Sequence, residues 1–324
     1  MRVLVTGASG LIGAHVARAL VEAGAEVRAL CRTAPPPEAA VAEHVAADLR
    51  DGPAVARAVE DCTAVLHVAA VYSYARADVG AMEAVNVAAT RAVLDAAARG
   101  RRRRVVVTSS SATCGPVPGR AATEADAPAA WELRIPYKRT KLAGERVAME
   151  AARQGQDVVV VNPTTTIGPL DRRPTPSGQV VLGLMRGRIG AYLPRAGINV
   201  VAAADVARGH RLALERGRAG ERYLLGGDDL ALRDAFTLIA RSAGRRPPRV
   251  PVPWTVALAA AYAVDLAGRA VGHESTLVNL DETRLARHPL WFSSAKAQRE
   301  LGYAWRPAEQ ASAEAVSWFQ RVST

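Results

Sequence analysis

Short, almost wholly apolar runs alternate with longer amphipathic ones along the first half of the chain. Arg2–Thr6, Glu26–Cys31, Ala64–Ala69, Arg104–Thr108 and Asp157–Val161 read as strands, with a shorter one near Val45–Ala47 after the Pro-rich loop Thr33–Pro37. Between them, Leu11–Ala23, a segment from about Pro53, Val79–Arg99 and Tyr137–Gln154 carry apolar residues at helical spacing. A strand that is apolar on both sides needs cover on both sides. The intervening helices are long enough to serve as parallel crossovers. The pattern predicts an α/β fold with a doubly wound parallel sheet.

After Pro163 the pattern changes. Loops rich in Pro and Gly (Gly168–Gly178, Arg245–Pro253) separate helices, and strands are expected at Asn199–Val201 and Arg222–Leu225. This predicts a first domain over residues 1–163, with 198–216 returning to it, and a smaller, partly interleaved α/β lobe over 164–324. In open α/β sheets, ligands bind outside the carboxyl ends of the strands, so the second lobe is placed to cover a substrate. The apolar stretch Trp254–Gly268 is interrupted by Asp265 and falls short of the roughly 20 residues that span a bilayer. It reads as a helix packed against protein, with an interfacial membrane helix as the alternative. No stable membrane insertion is expected.

With 324 residues, 49% hydrophobic and 23% charged, the chain can bury a sizeable core, which excludes global disorder. The apolar start runs straight into glycines and is too short for a secretory signal. Cys31, Cys62 and Cys114 form no CxxC pair and are odd in number, as expected of a cytoplasmic protein. The six histidines show no HxxxH or HExxH spacing, so no metal site is expected. A net charge of +11 raises the question of nucleic acid, but the arginines are scattered. The one dense run, Arg101–Arg104, falls between a helix end and a strand, where arginines complement the helix dipole. No nucleic-acid partner is expected.

The chemistry begins at residue 7. In Thr6-Gly7-Ala8-Ser9-Gly10-Leu11-Ile12-Gly13, glycines spaced GxxGxxG follow a strand and open a helix. There they permit a tight turn and close approach of the backbone to a pyrophosphate, in a Rossmann-type dinucleotide site. An NAD enzyme places an acid at the end of the second strand to hold the ribose 2′-hydroxyl; this chain has Cys31-Arg32-Thr33. Arg32, with help from Arg28, suits a 2′-phosphate, so NADP(H) is favoured and NAD(H) stays open. Asp48-Leu49 is suited to the adenine.

Tyr137 and Lys141 share one helical face. A lysine ammonium beside a phenol lowers its pKa from about 10 and prepares it for proton exchange with an alcohol or carbonyl. Thr108-Ser109-Ser110-Ser111 closes a buried strand and supplies a hydroxyl to polarise a substrate oxygen. Tyr72 and Tyr74 either line a substrate pocket or pack a loop.

Jointly, TGASGLIG (Thr6–Gly13), Asp48-Leu49, HVAA (His67–Ala70), Asn86-Val87 with Thr90, TSS (Thr108–Ser110), YKRTK (Tyr137–Lys141) and Asn162-Pro163 resemble the extended short-chain dehydrogenases/reductases over essentially the whole chain. NPTTTIGP (Asn162–Pro169), PTPSGQ (Pro174–Gln179), RGRIGAY (Arg186–Tyr192), GERYLLGG (Gly220–Gly227) and FSSAKAQRELGY (Phe292–Tyr303) resemble the hopanoid-associated sugar epimerases and the dihydroflavonol-reductase-like proteins within that family. The resemblance implies Tyr137 as proton donor or acceptor and Lys141 on the nicotinamide ribose. It implies Ser110 on the substrate oxygen, with Ser109 or Ser111 as fallback. Asn86 would support the lysine through a water, Ala69 would border the cofactor, and Pro163 would flank the nicotinamide. It also implies a homodimer through Val79–Arg99 and Tyr137–Gln154.

Relatives often carry polar residues where this chain has Ala202 and Ala204, which hints at a different substrate. The expected activity is NADPH-dependent reduction of a ketone, on a small carbonyl or alcohol substrate. The alternatives are an NAD-retaining sugar-nucleotide epimerase or dehydratase and, more remotely, a non-catalytic dinucleotide sensor.

Overall fold

Alternation along the first strand sets the architecture. In β1 (Arg2–Thr6), Val3 and Val5 face one side and Leu4 the other, and all three are fully buried. Each side therefore needs its own layer of helices. The computed structural model, which describes residues 1–100, 103–271 and 279–322, supplies both.

The chain continues through α1 (Leu11–Glu22), β2 (Glu26–Cys31), β3 (Glu43–Ala46), α2 (Gly52–Val59) and β4 (Ala64–His67). There follow α3 (Val79–Glu83), a π-helical segment (Ala84–Ala89), α4 (Thr90–Ala98), β5 (Arg104–Thr108), α5 (Pro136–Arg153) and β6 (Val158–Pro163). The long helix expected over Val79–Arg99 is thus widened in its middle, at Asn86. The second half holds β7 (Thr165–Ile167), α6 (Pro176–Met185), β8 (Ala191–Tyr192), β9 (Gly197–Ala202), α7 (Ala203–Arg216), β10 (Arg222–Leu225), β11 (Asp228–Ala231) and α8 (Leu232–Ser242). It ends with β12 (Val250–Pro251), α9 (Trp254–Val271), α10 (Leu280–Leu285), α11 (Ala295–Leu301) and α12 (Ala308–Val322).

Seven parallel strands lie in the order β10-β6-β5-β4-β1-β2-β3. The order reverses between β1 and β4, and a crevice opens there at the carboxyl ends of the strands. Val3, Val5, Leu66, Val106 and Val159 pack with α1 and α7 on one face. Leu4, Val65, Val105, Val107 and Val160 pack with α2, α4 and α5 on the other.

A separate core of Ile167, Val181, Val200, Phe236, Ile239 and Phe319 organises the three-stranded sheet β11-β9-β7 with α6, α8 and α12. The helix expected over Trp254–Gly268 is present as α9, but only one side of it packs against protein, chiefly on α10; the other is exposed. Of the run Arg101–Arg104, the first two residues lie outside the described residues. Arg103 caps the end of α4 by donating to the carbonyls of Ala97 and Arg99, at 3.4 and 2.6 Å.

Candidate active site

A cleft of about 640 Å³ runs along the carboxyl ends of the strands, from Gly7–Gly13 at one end to Tyr137 and Leu285 at the other. Of the residues singled out from the sequence, Gly7, Ser9, Gly10, Leu11, Ile12, Gly13, Arg32, Asp48, Leu49, Ala69, Tyr72, Tyr74, Ser110, Tyr137, Lys141 and Pro163 all line it. Asn86 and Arg28 do not.

The glycine turn is built for close approach. Gly7 adopts φ +73°, and a Cβ there would sit 2.7 Å from the Cα of Ala69. A Cβ on Gly13 would fall 2.1 Å from the Gly7 carbonyl oxygen, so α1 can lie on the turn only with glycine at that position. Gly10 starts α1 without a side-chain cap, which leaves the amides of the first turn facing the cleft. Ser9 and Cys31 hydrogen-bond beneath the turn. This uncapped helix end, on a turn that closes only because Gly7 and Gly13 lack side chains, fits a dinucleotide pyrophosphate.

At the ribose end Arg32 is exposed on the rim. Arg50, which the sequence reading passed over, grips the Asp48 carboxylate through Nε at 2.9 Å and Nη2 at 2.8 Å. That contact holds the Asp48 carboxyl down at about 2, so it stays ionised and already paired. Arg28 lies elsewhere. Its guanidinium pairs with Glu43 at 2.7 Å and donates to the carbonyls of Ala58 and Glu60. It sits near the far end of β2, three residues before Cys31, which is too distant to assist Arg32.

At the other end Tyr137, in the first turn of α5, lies beside Ser110. Burial pushes its phenol up to about 12, against Ser110, which favours its charged form. Lys141 is buried and lowered to about 8, and its Nζ donates to the Thr108 carbonyl at 2.8 Å. The lowered tyrosine pKa expected from the lysine is therefore not produced by the protein groups alone: desolvation dominates, and the ammonium is held on the backbone. Ser109 Oγ is buried without a hydrogen-bond partner, and Ser111 is half-buried.

Behind these groups lies a buried polar frame. Glu145 accepts from Asn162 Nδ2 at 2.7 Å and from Thr113 Oγ1 at 2.7 Å, and it pairs with Arg222. Asn162 Nδ2 also reaches the Ser110 carbonyl at 3.1 Å, which ties the serine to the frame. His67 bridges Thr6 and Thr90, and His210 bridges Thr108 and the Val206 carbonyl. Burial drives the two imidazoles down to about 3 and about 4, so both are neutral. Asn86 turns its amide to both backbone groups of Val71, at 2.8 and 3.0 Å, and to Thr140 at 3.2 Å. It braces the Tyr72 loop against α5.

Tyr72 and Tyr74 stack on the catalytic candidate, with ring centroids 4.6 and 6.0 Å from that of Tyr137. Leu285, Leu290 and Phe292 from the C-terminal lobe complete an apolar mouth, with Arg173, Thr175 and Ser177 on one side. None of these last six was singled out as a site residue, because each reaches the cleft only through tertiary packing. Ala202 and Ala203 are buried at the β9–α7 junction, and no residue from 202 to 206 lines the cleft. The alanines at 202 and 204 therefore say nothing about the substrate. Asp205 instead accepts from the backbone and side chain of Arg306.

Comparison with known proteins agrees with this geometry. The profile of the "NAD dependent epimerase/dehydratase family" matches residues 3–226. A "Putative dihydroflavonol 4-reductase" of Synechocystis sp. is 36% identical, over 98% of this chain and 94% of the relative. A "4-hydroxy-2-methyl-3-oxo-4-farnesyl-3,4-dihydroquinoline-1-oxide ketoreductase" of Stigmatella aurantiaca is 31% identical, over 98% of this chain and 96% of the relative. The crystal structure of gox2253 superposes with a TM-score of 0.85 at 35% identity, over 99% of this chain and 98% of that one.

Proposed function

We propose, from the premise that this chain belongs to the NAD dependent epimerase/dehydratase family and is an oxidoreductase-type enzyme of the extended short-chain dehydrogenase/reductase kind, that it reduces an apolar ketone to an alcohol with NADPH. The observation that carries this reading is the ribose end of the cleft. Arg32 and Arg50 stand there, and among the described residues lining that end the one carboxylate, Asp48, is already paired by Arg50. A 2′-phosphate there meets Arg32 and an acid already compensated by Arg50, and an exchangeable NADPH suits a reductase. The apolar mouth and the relative named as a ketoreductase support the same substrate class.

The dinucleotide supplies hydride when bound. At neutral pH Tyr137, with its phenol at about 12, carries a proton, and it delivers that proton to the carbonyl oxygen as the carbon is reduced. Ser110, beside Tyr137, favours the phenolate left behind. Lys141, anchored on the Thr108 carbonyl, holds a positive charge one helical turn away. Its place beside Thr108 also suits it to the nicotinamide ribose. The same reading carries a homodimer through α3–α4 and α5, which a scattering mass would check.

A second reading, an NAD-retaining epimerase or dehydratase acting on a sugar nucleotide, is favoured by one feature. Arg173 and Ser177 offer a cation and a hydroxyl at the mouth, which would suit a substrate diphosphate. The deciding experiment follows NADPH oxidation with a panel of apolar ketones. Turnover that disappears in Tyr137→Phe supports the reductase. No turnover with any ketone, alongside interconversion of a sugar nucleotide without net NADPH use, overturns it.

A further inference from the structure

The exposed side of α9 is unusual for a helix on a water-facing surface. Its exposed positions fall at 255, 256, 259, 260, 262, 263, 266 and 267, a continuous stripe at helical spacing. None of these eight described positions is charged, and the large side chains among them, Val256, Tyr262 and Leu266, are 56, 48 and 70% exposed. Single exposed apolar residues are ordinary, but a contiguous stripe on one helix marks a contact surface. The inner side is anchored by polar contacts as well as packing: Trp254 Nε1 donates to the Thr283 carbonyl at 2.8 Å, and Asp265 pairs with Arg76 at 3.2 Å.

The ground beside this helix is strongly basic. Residues 172–204 contain five arginines and no acid, and residues 235–264 contain four and no acid. Pairing of β8 with β12 brings the two segments together immediately before α9: Val250 lies opposite Ala191, and the amides of Arg249 and Val250 reach the Gly190 carbonyl. Arg186, Arg188, Arg245, Arg246 and Arg249 are all exposed there. These five exposed arginines thus gather where the chain enters α9.

We propose that this face docks on the surface of an anionic bilayer. α9 would lie in the plane of the membrane, with Val256, Tyr262 and Leu266 at the boundary of headgroups and acyl chains and the arginines on lipid phosphates. An apolar stripe flanked by cations matches that surface in both of its chemistries. A second copy of the chain matches only the first, because an isologous contact offers the same uncharged stripe and the same arginines, with no anionic surface for them. The position also serves the cleft. Leu285 of α10, the helix on which α9 packs, and Arg173 of the basic segment both line the mouth. Docking would therefore present the mouth to the bilayer, and a membrane-dissolved ketone could enter from it. This last step rests on the reductase reading; the docking itself does not.

The test is flotation of the full-length protein with vesicles of phosphatidylcholine alone and of phosphatidylcholine mixed with phosphatidylglycerol, at low and high salt. The protein is expected to rise with the anionic vesicles at low salt and to remain below with the neutral ones. Val256→Glu/Leu266→Glu should lower the bound fraction about tenfold, and Arg246→Ala/Arg249→Ala by a similar factor. NADPH binding and melting temperature serve as controls that each variant is folded. Wild-type protein that stays at the bottom with anionic vesicles overturns the proposal. So does flotation that the stripe variant leaves unchanged. A wild-type dimer that ignores vesicles and becomes monomeric in the stripe variant would assign the face to self-association instead. Loss of NADPH preference would touch only the reductase reading, and loss of flotation only the docking.

Discussion

The two ends of the cleft are made in opposite ways. The dinucleotide end is mostly backbone, drawn from a few residues close in sequence: Gly7 to Gly13, the end of β2 and the end of β3. Its shape follows from the absence of side chains, as the 2.1 Å approach of a notional Gly13 Cβ to the Gly7 carbonyl shows. The substrate end is mostly side chain, gathered from Tyr72, Tyr137, Arg173, Leu285 and Phe292, which are spread over more than 200 residues. A backbone cradle tolerates little change, whereas a wall of side chains can be exchanged one at a time. On the proposed reading, the first end fixes which cofactor class is held, and the second is free to set the substrate.

Tyr137→Phe should give the largest effect of any substitution in the cleft. Removing the proposed proton donor should lower kcat by about 10²–10⁴-fold while dinucleotide binding survives, as steady-state kinetics beside a fluorescence titration would show. An equal loss of both would mean that the two ends are not separable. At the other end, Gly13→Ala should abolish dinucleotide binding and lower stability by about 1–3 kcal/mol, measured by titration and urea unfolding, because no side chain can yield to the new methyl group.

Arg32→Ala combined with Arg50→Ala should weaken NADPH by about 10–100-fold and leave NADH nearly unchanged, since charge-assisted hydrogen bonds to a phosphate are worth about 1.5–3 kcal/mol. Acid sharpens the comparison further, because His67 supports the glycine turn through Thr6 and His210 supports the catalytic strand through Thr108. Both are neutral when folded, with values of about 3 and about 4, but take up protons below about 6.5 when unfolded. Stability should therefore fall as pH drops from 6.5 towards those values, by up to about 1.4 kcal/mol per pH unit for each histidine. Urea unfolding between pH 7 and 5, on wild type and on His210→Asn, would show the slope and its reduction. Smallest of all, Tyr72→Leu should alter KM across a ketone series by a few-fold with kcat little changed.

Legibility in the sequence follows the same division. The strands of the parallel sheet were readable because a strand buried on both faces must be apolar at every position, as in Val158–Val161. The glycine turn was readable because its spacing is local. Arg50 was not singled out, although it lies two residues after Asp48 and forms its chelating pair; an arginine that close to a candidate adenine ligand is a usable signal. The π-helical segment around Asn86 left no trace in the apolar spacing, since one extra residue per turn shifts the stripe too little to notice over a single turn. Leu285 and Phe292 were invisible as cleft residues because their burial depends on how a distant lobe folds back. Ala202 and Ala204 misled for the mirror reason: a change of polarity was read as a change of substrate, while the positions belong to the β9–α7 junction.

Whether the cation-lined ribose end selects its cofactor decides the account most directly. The purified protein would be denatured to look for retained dinucleotide, then titrated with NADH and NADPH by fluorescence. No retained cofactor and tighter binding of NADPH are expected, with the preference lost in Arg32→Ala. Retained NAD with no preference for NADPH would contradict the reductase reading and place the chemistry with the hydride-returning epimerases.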